Sequence, residues 1–269
     1  MRNKELILVR GAGDIATGTI QKLIRAGFPV LATETEHPSA IRRYVSLCEA
    51  VYEGSWTVED ITAVRVSTIT EAYEVMNSGK VAILVDPTCA ILKEVQPLAV
   101  IDAILAKKNI GTTREMAPIT IALGPGFTAG TDVDVVIETM RGHNLGKLIL
   151  SGTALPNTGV PGIIEGIGKE RVIHAPIAGT IHNKKAISDT LTQGDVIAEI
   201  DGHPITVTID GILRGLIREG FRVPVGFKIA DIDPRESEKE NCFTISDKAR
   251  CIGGAVLEAI FMLSNCKGL

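Results

Sequence analysis

Residues 6–27 read LILVRGAGDIATGTIQKLIRAG. An apolar run comes first and an amphipathic stretch closed by Gly27 comes last, with the glycines of RGAGD between them, so a strand, a tight turn and a helix follow in that order. Gly11, Gly13 and Ala16 fit G-x-G-x-x-A, the dinucleotide fingerprint, in the strand-to-helix setting that gives the motif its meaning. Gly11 lets the chain turn sharply, Gly13 removes a side chain where phosphate oxygens approach, and Ala16 lets helix and strand pack closely. Ala12, Asp14 and Ile15 complete the turn, where the first amides of the helix lack intrahelical acceptors and face an anion with partial positive charge. The alternative is that the glycines only permit a tight β–α connection.

The next run, FPVLATE (28–34), predicts a second strand ending at Glu34, where an acidic side chain about 20 residues beyond such a motif bonds a ribose hydroxyl. Asp14 is open to two readings. A carboxylate in a first helical turn is a favourable cap, and it also competes with phosphate for the same amides unless it turns to a ligand hydroxyl or a metal-bridged phosphate. In TEHPSAIRRYVSLCEAVYEG (35–54), Arg42 and Arg43 fall near the ribose end and are either a clamp for an extra phosphate or two arginines on a solvated helix.

The segments AVRVST (63–68), TITEAYEVMNSG (68–79), KVAILVD (80–86) and EVQPLAVIDAILAKKN (94–109) continue the strand and helix alternation, which puts the last of them in a helix's place. This predicts a Rossmann-like parallel sheet covered by helices over 1–115. Asp86 opens VDPTC at the carboxyl edge of a strand, the edge where ligands bind in open α/β sheets. Cys89 follows without a basic neighbour in sequence to make it a thiolate.

Over 116–170 the texture changes to a glycine-rich β region. APITIALG, DVDVVIET and GKLILSG read as strands joined by glycine turns, and the alternation Asp132, Val133, Asp134, Val135 predicts one wet face. GPGFTAGTDVD, with Gly124, Gly126 and Asp132, either wraps a ligand with backbone amides or is a long turn. GHNLGK has three residues between its glycines and Leu148 where Ser or Thr would bind magnesium, so it is not a P-loop.

Short β-runs and Gly-Asp or Asp-Gly turns over 171–235 predict a small β-rich domain like the barrel-sandwich of biotinyl and lipoyl carriers. No Met-Lys-Met or Asp-Lys-Ala turn is present, so that likeness bears on fold and not on carriage. In 236–269, TISDKARCIGGAVLEAIFMLSN predicts a helix with Ser246 as N-cap and Cys251, Ala255, Ile260 and Leu263 among its apolar positions, packing on another domain or subunit. The fold expected is α/β throughout these four parts.

Composition narrows the function classes. A net charge of −4 without a lysine or arginine block argues against nucleic acid or an anionic membrane as partner. The five cysteines are odd in number and scattered, with no C-x-x-C pair, and no signal peptide is recognisable, so a cytoplasmic protein with reduced thiols is expected. The five histidines show no H-x-H or H-x-x-x-H spacing, and no G-x-S-x-G elbow occurs. No metal site is expected.

Taken together, RGAGDIATG, ETEHPSAIRR with EAVYEG, ITIALGPGFTAGTDVDVVIETMRGHNLG, PNTGVPG and GFKIADIDPR resemble the YqeB-like family of maturation factors of selenium-dependent molybdenum hydroxylases, distantly similar to xanthine dehydrogenase accessory factors. The resemblance implies an accessory protein that binds a molybdopterin-type dinucleotide for modification or insertion. Its implied partners are the apo-hydroxylase, other maturation factors and the nucleotide ligand, with a second copy of the chain a further candidate. A pterin dinucleotide carries a pyrophosphate, which the glycine turn could hold as it would hold NAD. The alternative is an NAD(P)-dependent oxidoreductase, against which stands the lack of a proton-relay histidine at a strand end of the nucleotide domain. A third reading is a barrel-type adaptor in which the turn is empty.

Overall fold

Strand β1, Ile7–Arg10, is buried along its whole length, and the chain turns through Gly11–Gly13 into helix α1, Asp14–Arg25, before returning as β2, Val30–Glu34. The two strands pair in parallel, Ile7 against Val30 and Arg10 against Thr33. The computed structural model describes residues 5–159 and 162–269. The chain divides into two units, one holding the residues up to Pro38 with Ser46–Asn157 and Ile245–Leu269, the other Ser39–Val45 with Thr158–Thr244.

In the first unit a short helix α2 (Ala50–Glu53) leads to β3 (Ser55–Val58), β4 (Ile61–Val66), α3 (Ile69–Asn77) and β5 (Val81–Val85). Then come β6 (Ala99–Asp102), β7 (Ile119–Leu123), β8 (Thr128–Ala129), β9 (Val135–Ile137), β10 (Leu148–Ile149) and β11 (Gly152–Thr153). Nine strands make one sheet in the order β10-β9-β7-β6-β1-β2-β5-β4-β3, parallel except for the antiparallel pairs at its two ends. From β1 the chain passes to β2, jumps to the β3 edge and works back through β4 to β5 beside β2, then crosses to β6 on the other side of β1 and goes on to β7, so the connections leave β1 and β6 in opposite directions.

Three expectations change here. Ala99–Asp102 lies in the sheet as β6 rather than in a helix, because Pro97 bars the helix and a strand buried on both faces shows a continuous apolar run instead of alternation. Residues 116–170 do not stand apart, since β7 and β9 extend the parallel sheet next to β6. Nor has β9 a wet face: Val135, Val136 and Ile137 are all buried, and the alternation read over Asp132–Val135 falls in the preceding loop.

The C-terminal helix α4, Asp247–Lys267, is capped by the Ser246 side chain, which accepts from the Ala249 amide. Its buried stripe is Ala249, Ile252, Val256, Ala259 and Ile260 together with Ala255, and Cys251 is exposed, so the stripe is rotated from the one the sequence suggested. By length and composition α4 could cross a membrane, but here it lies on α1.

The second unit is two four-stranded sheets. Its strands are β12 (Val172–His174), β13 (Gly179–Asn183), β14 (Thr190–Leu191), β15 (Val196–Ile200), β16 (His203–Thr206), β17 (Gly211–Leu216), β18 (Arg222–Val223) and β19 (Lys228–Asp233). One sheet runs β12-β19-β17-β14 and the other β16-β15-β13-β18. Moving 32 residues along the chain carries Gly179 to Gly211, Gly194 to Gly226 and Ile200 to Ile232, and it carries each strand of the first half onto one of the second. The unit is an internal duplication, with Ile181, Ile197, Leu213 and Ile229 in its shared core.

Candidate functional site

Parallel strands put their carboxyl ends on one edge, and four of them deliver predicted residues there. In sheet order these are Gly124 after β7, Gly11 after β1, Glu34 ending β2 and Asp86 after β5, with Asp102, which the sequence did not single out, ending β6 between the first two. The connections reverse between β1 and β6, and such a reversal is the general location of ligand sites in open α/β sheets.

Gly11 has φ of +91°, and a Cβ there would lie 3.1 Å from the Ala103 carbonyl oxygen and the Ile104 backbone. Gly13 is different. Its φ of −68° suits any residue, it caps α1 without a side chain, and no atom lies within 4 Å of where its Cβ would be. The first glycine is needed by the chain; the second leaves open space beside the helix amino terminus. Thr17 steadies the turn by donating its hydroxyl and its amide to the Gly13 carbonyl, each at 2.8 Å, while Leu47 and Cys48 donate to Thr17 Oγ1 at 3.0 Å and the Ala12 carbonyl at 2.8 Å.

Glu34 closes on the same turn. Its Oε2 accepts the Ala12 amide at 2.9 Å and its Oε1 accepts the Thr35 amide at 2.8 Å. Burial raises its pKa, with these two amides pulling the other way. A carboxylate has about four lone-pair positions, and with the Thr35 side chain also bonding it about one remains for a ligand hydroxyl. Burial, and then the charges of Glu34, Glu49 and Asp14, push the thiol of Cys48, whose amide bonds the Ala12 carbonyl, well up and keep this cysteine protonated.

The other predicted residues are engaged with the chain itself. Asp86 accepts the Ile91 amide at 2.8 Å and the Thr88 hydroxyl at 3.1 Å; burial works to raise its pKa, but the Ile91 and Ala90 amides prevail and lower it. It borders a cleft of about 560 Å³ that Ser67, Thr68, Pro87, Lys93 and Glu94 also line. Asp132 accepts the Thr128 amide at 2.7 Å and so ties its loop to itself. Gly126 lies against the Lys108 backbone and Gly124 donates its amide to Ile137, so this loop buttresses the chain after β6 instead of presenting a row of free amides. Arg42 belongs to the second unit, where its guanidinium donates to the carbonyls of Asn241 at 3.0 Å and Thr244 at 3.4 Å, and Arg43 donates to Leu216 at 2.8 Å.

A group the sequence reading passed over joins β1 to β6. Arg10, 2% exposed, pairs with Asp102 at 3.6 Å and donates to the hydroxyl of Thr112, which in turn donates to Asp102 at 2.6 Å. A third bond from Arg10 reaches the Pro87 carbonyl at 3.2 Å. Burial raises the Asp102 pKa against the pull of Thr112, the Ile104 amide and Arg10. Nearby Cys89 adopts a left-handed backbone, and burial pushes its thiol up to about 11, so it is no thiolate nucleophile at neutral pH. Among the described residues no group of three or more His, Cys, Asp and Glu is placed to hold a metal ion.

No family model matches the chain. It is 51% identical over 261 residues to the uncharacterized protein YqeB of Escherichia coli (strain K12), an alignment covering 97% of this chain and 48% of that protein. The chain therefore spans about half the length of that relative. Among solved structures, an aspartoacylase family protein of Mesorhizobium loti aligns at 12% identity and a TM-score of 0.25, over 86% of this chain and 85% of the other. A succinylglutamate desuccinylase of Silicibacter sp. TM1040 aligns at 10% identity and 0.27, over 85% and 84%. Both scores fall short of a shared fold.

Proposed function

We propose that the Gly11–Gly13 turn binds a nucleotide-containing cofactor through its pyrophosphate, on a Rossmann-like sheet, and that the protein is an accessory factor in the maturation of a selenium-dependent molybdenum hydroxylase. The observation that carries the binding half is the open space over Gly13 at the uncapped amino terminus of α1, beside the reversal of the connections. Glu34 would take a ribose hydroxyl. The maturation half rests on the motif resemblance alone, since the YqeB relative is itself uncharacterized. On this reading a molybdopterin-type dinucleotide is held for modification or for insertion into the apo-hydroxylase, in the cytoplasm, without being oxidised or reduced.

Holding fits the site better than hydride chemistry does. The Glu34 carboxylate bonds to main-chain amides, and the thiols of Cys48 and Cys89 are held protonated by burial, so neither Glu34 nor a thiol is poised as one half of an acid–base pair beside Gly13. NAD(P)-dependent oxidoreduction is the second reading, favoured by the position of Glu34 alone. The protein purified from cells grown with molybdate and selenite should carry a pterin or purine dinucleotide detectable by mass spectrometry. Deleting its gene should lower hydroxylase activity at an unchanged level of the hydroxylase polypeptide. Steady NAD(P)H turnover by the isolated protein, abolished in Glu34→Ala, would overturn this in favour of the dehydrogenase.

A further inference from the structure

We propose that Lys248, in the first turn of α4, is the cation that meets the phosphates of the ligand held at the Gly11–Gly13 turn. The inference rests on the function proposed above and adds a residue 235 positions away from Gly13 in the sequence.

Its placement follows from how α4 lies on α1. A Cβ on Gly18 would come within 2.7 Å of the Ala249 Cβ, and one on Gly253 within 2.5 Å of the Gly18 carbonyl oxygen. At the far end the rings of Phe28 and Phe261 are 6.2 Å apart. The helices therefore run side by side in the same direction, and the amino terminus of α4, like that of α1, comes to the carboxyl edge of the sheet. Lys248 directly precedes the residue that touches α1. Asp14, the neighbour of Gly13, and Glu138 and Arg141, which follow β9, are near enough to act on its charge.

The chemistry of the neighbourhood calls for such a cation. Asp14 opens α1 and Glu34 bonds the Ala12 amide, so two carboxylates at the turn repel a pyrophosphate, and the helix terminus alone supplies about half a charge against them. Arg10 is engaged by Asp102 and Thr112, and Arg141 forms a two-point pair with Asp247 at 2.7 and 2.8 Å. Lys248, partly buried, makes no ion pair or hydrogen bond among the described residues; burial, and then Arg141, lower its pKa, while Asp14 and Glu138 counter them. An amine desolvated without a close partner gains from an arriving phosphate, to which it can donate charge-assisted bonds.

The test is calorimetric titration of the whole 269-residue chain with NAD⁺ and GDP, which carry a pyrophosphate, and with guanosine, which carries none. Lys248→Gln should weaken NAD⁺ and GDP about tenfold or more and leave guanosine unchanged, with Lys248→Arg keeping most of the affinity. Equal NAD⁺ and GDP affinities for the parent and Lys248→Gln would overturn the role of Lys248 and leave the glycine-turn site standing. A parent chain that binds neither NAD⁺ nor GDP would overturn both.

Discussion

Adding one methyl group at either of two adjacent glycines of α4 should move stability in opposite directions. Within a helix, alanine is favoured over glycine by about 0.5–1 kcal/mol, so Gly253→Ala and Gly254→Ala start with the same gain. Gly254 has nothing within 4 Å of its would-be Cβ, and its gain should appear in full. A Cβ on Gly253 would lie 2.5 Å from the Gly18 carbonyl oxygen and 2.9 Å from its carbon, about 0.9 Å inside ordinary contact. Both obstructing atoms are backbone, so no rotamer relieves the clash, and overpacking of this kind costs roughly 1–3 kcal/mol with the upper end expected here. The net for Gly253→Ala is a loss of about 2 kcal/mol, and the two variants should differ by about 3 kcal/mol. Urea unfolding followed by the fluorescence of Trp56, the single tryptophan and a residue of the first unit, reads this as a lower midpoint at constant slope. A Gly253→Ala midpoint equal to or above that of Gly254→Ala would refute the close seating of α4 on α1, and with it the placement of Lys248.

The thiols should sort by burial: a chromogenic disulfide reagent at pH 7.5 should modify Cys251 and Cys266 quickly and Cys48, Cys89 and Cys242 only on unfolding, and rapid native labelling of Cys89 would contradict the raised thiol found there. Asp60 is held at about 2, first by the side-chain bonds from Arg25 at 2.8 and 2.9 Å. A depressed carboxylate adds stability that is present above its unfolded value near 4 and lost as the pH falls through about 2. Because the pair is about half exposed, Asp60→Asn should cost less than about 1 kcal/mol at pH 7, and the difference from the parent should shrink from about pH 4 downward and vanish below pH 2; a difference at pH 2 as large as that at pH 7 would contradict the linkage.

How much of the fold can be read from the sequence depends on whether local pattern and tertiary setting agree. They agree in Leu6–Gly27, where apolar run, glycine turn and amphipathic helix each carry their own signal. They part at Ala99–Asp102, where a strand buried on both faces has no alternation to show, and in α4, where two glycines at the crossing pull the contact face toward Ala249 and Gly253 and away from the bulkier residues. The duplication in the second unit was legible in VIAEID (196–201) against KIADID (228–233), yet the intervening turns differ enough to hide the rest. At the candidate site, Gly11, Gly13 and Glu34 could be named from spacing alone. Arg42 could not be placed, because its bonds to Asn241 and Thr244 come from about 200 residues away, and the Arg10–Asp102–Thr112 group is created only when β1 and β6 become neighbours. Lys248 belongs to the same class of residue, invisible until one helix lies on another.

The claim at the centre of this account is that the space over Gly13 belongs to a ligand's phosphates, and Gly13→Val tests it most directly. The backbone there, with φ of −68°, accepts a side chain, and nothing lies within 4 Å of the Cβ position, so the variant should fold, its stability lowered by no more than the roughly 1 kcal/mol that a valine in place of a glycine N-cap costs. Titrated with NAD⁺ and GDP beside the parent chain, it should show no measurable binding, because the valine fills the place the phosphate oxygens need. A folded Gly13→Val protein that binds either nucleotide as tightly as the parent would contradict the account.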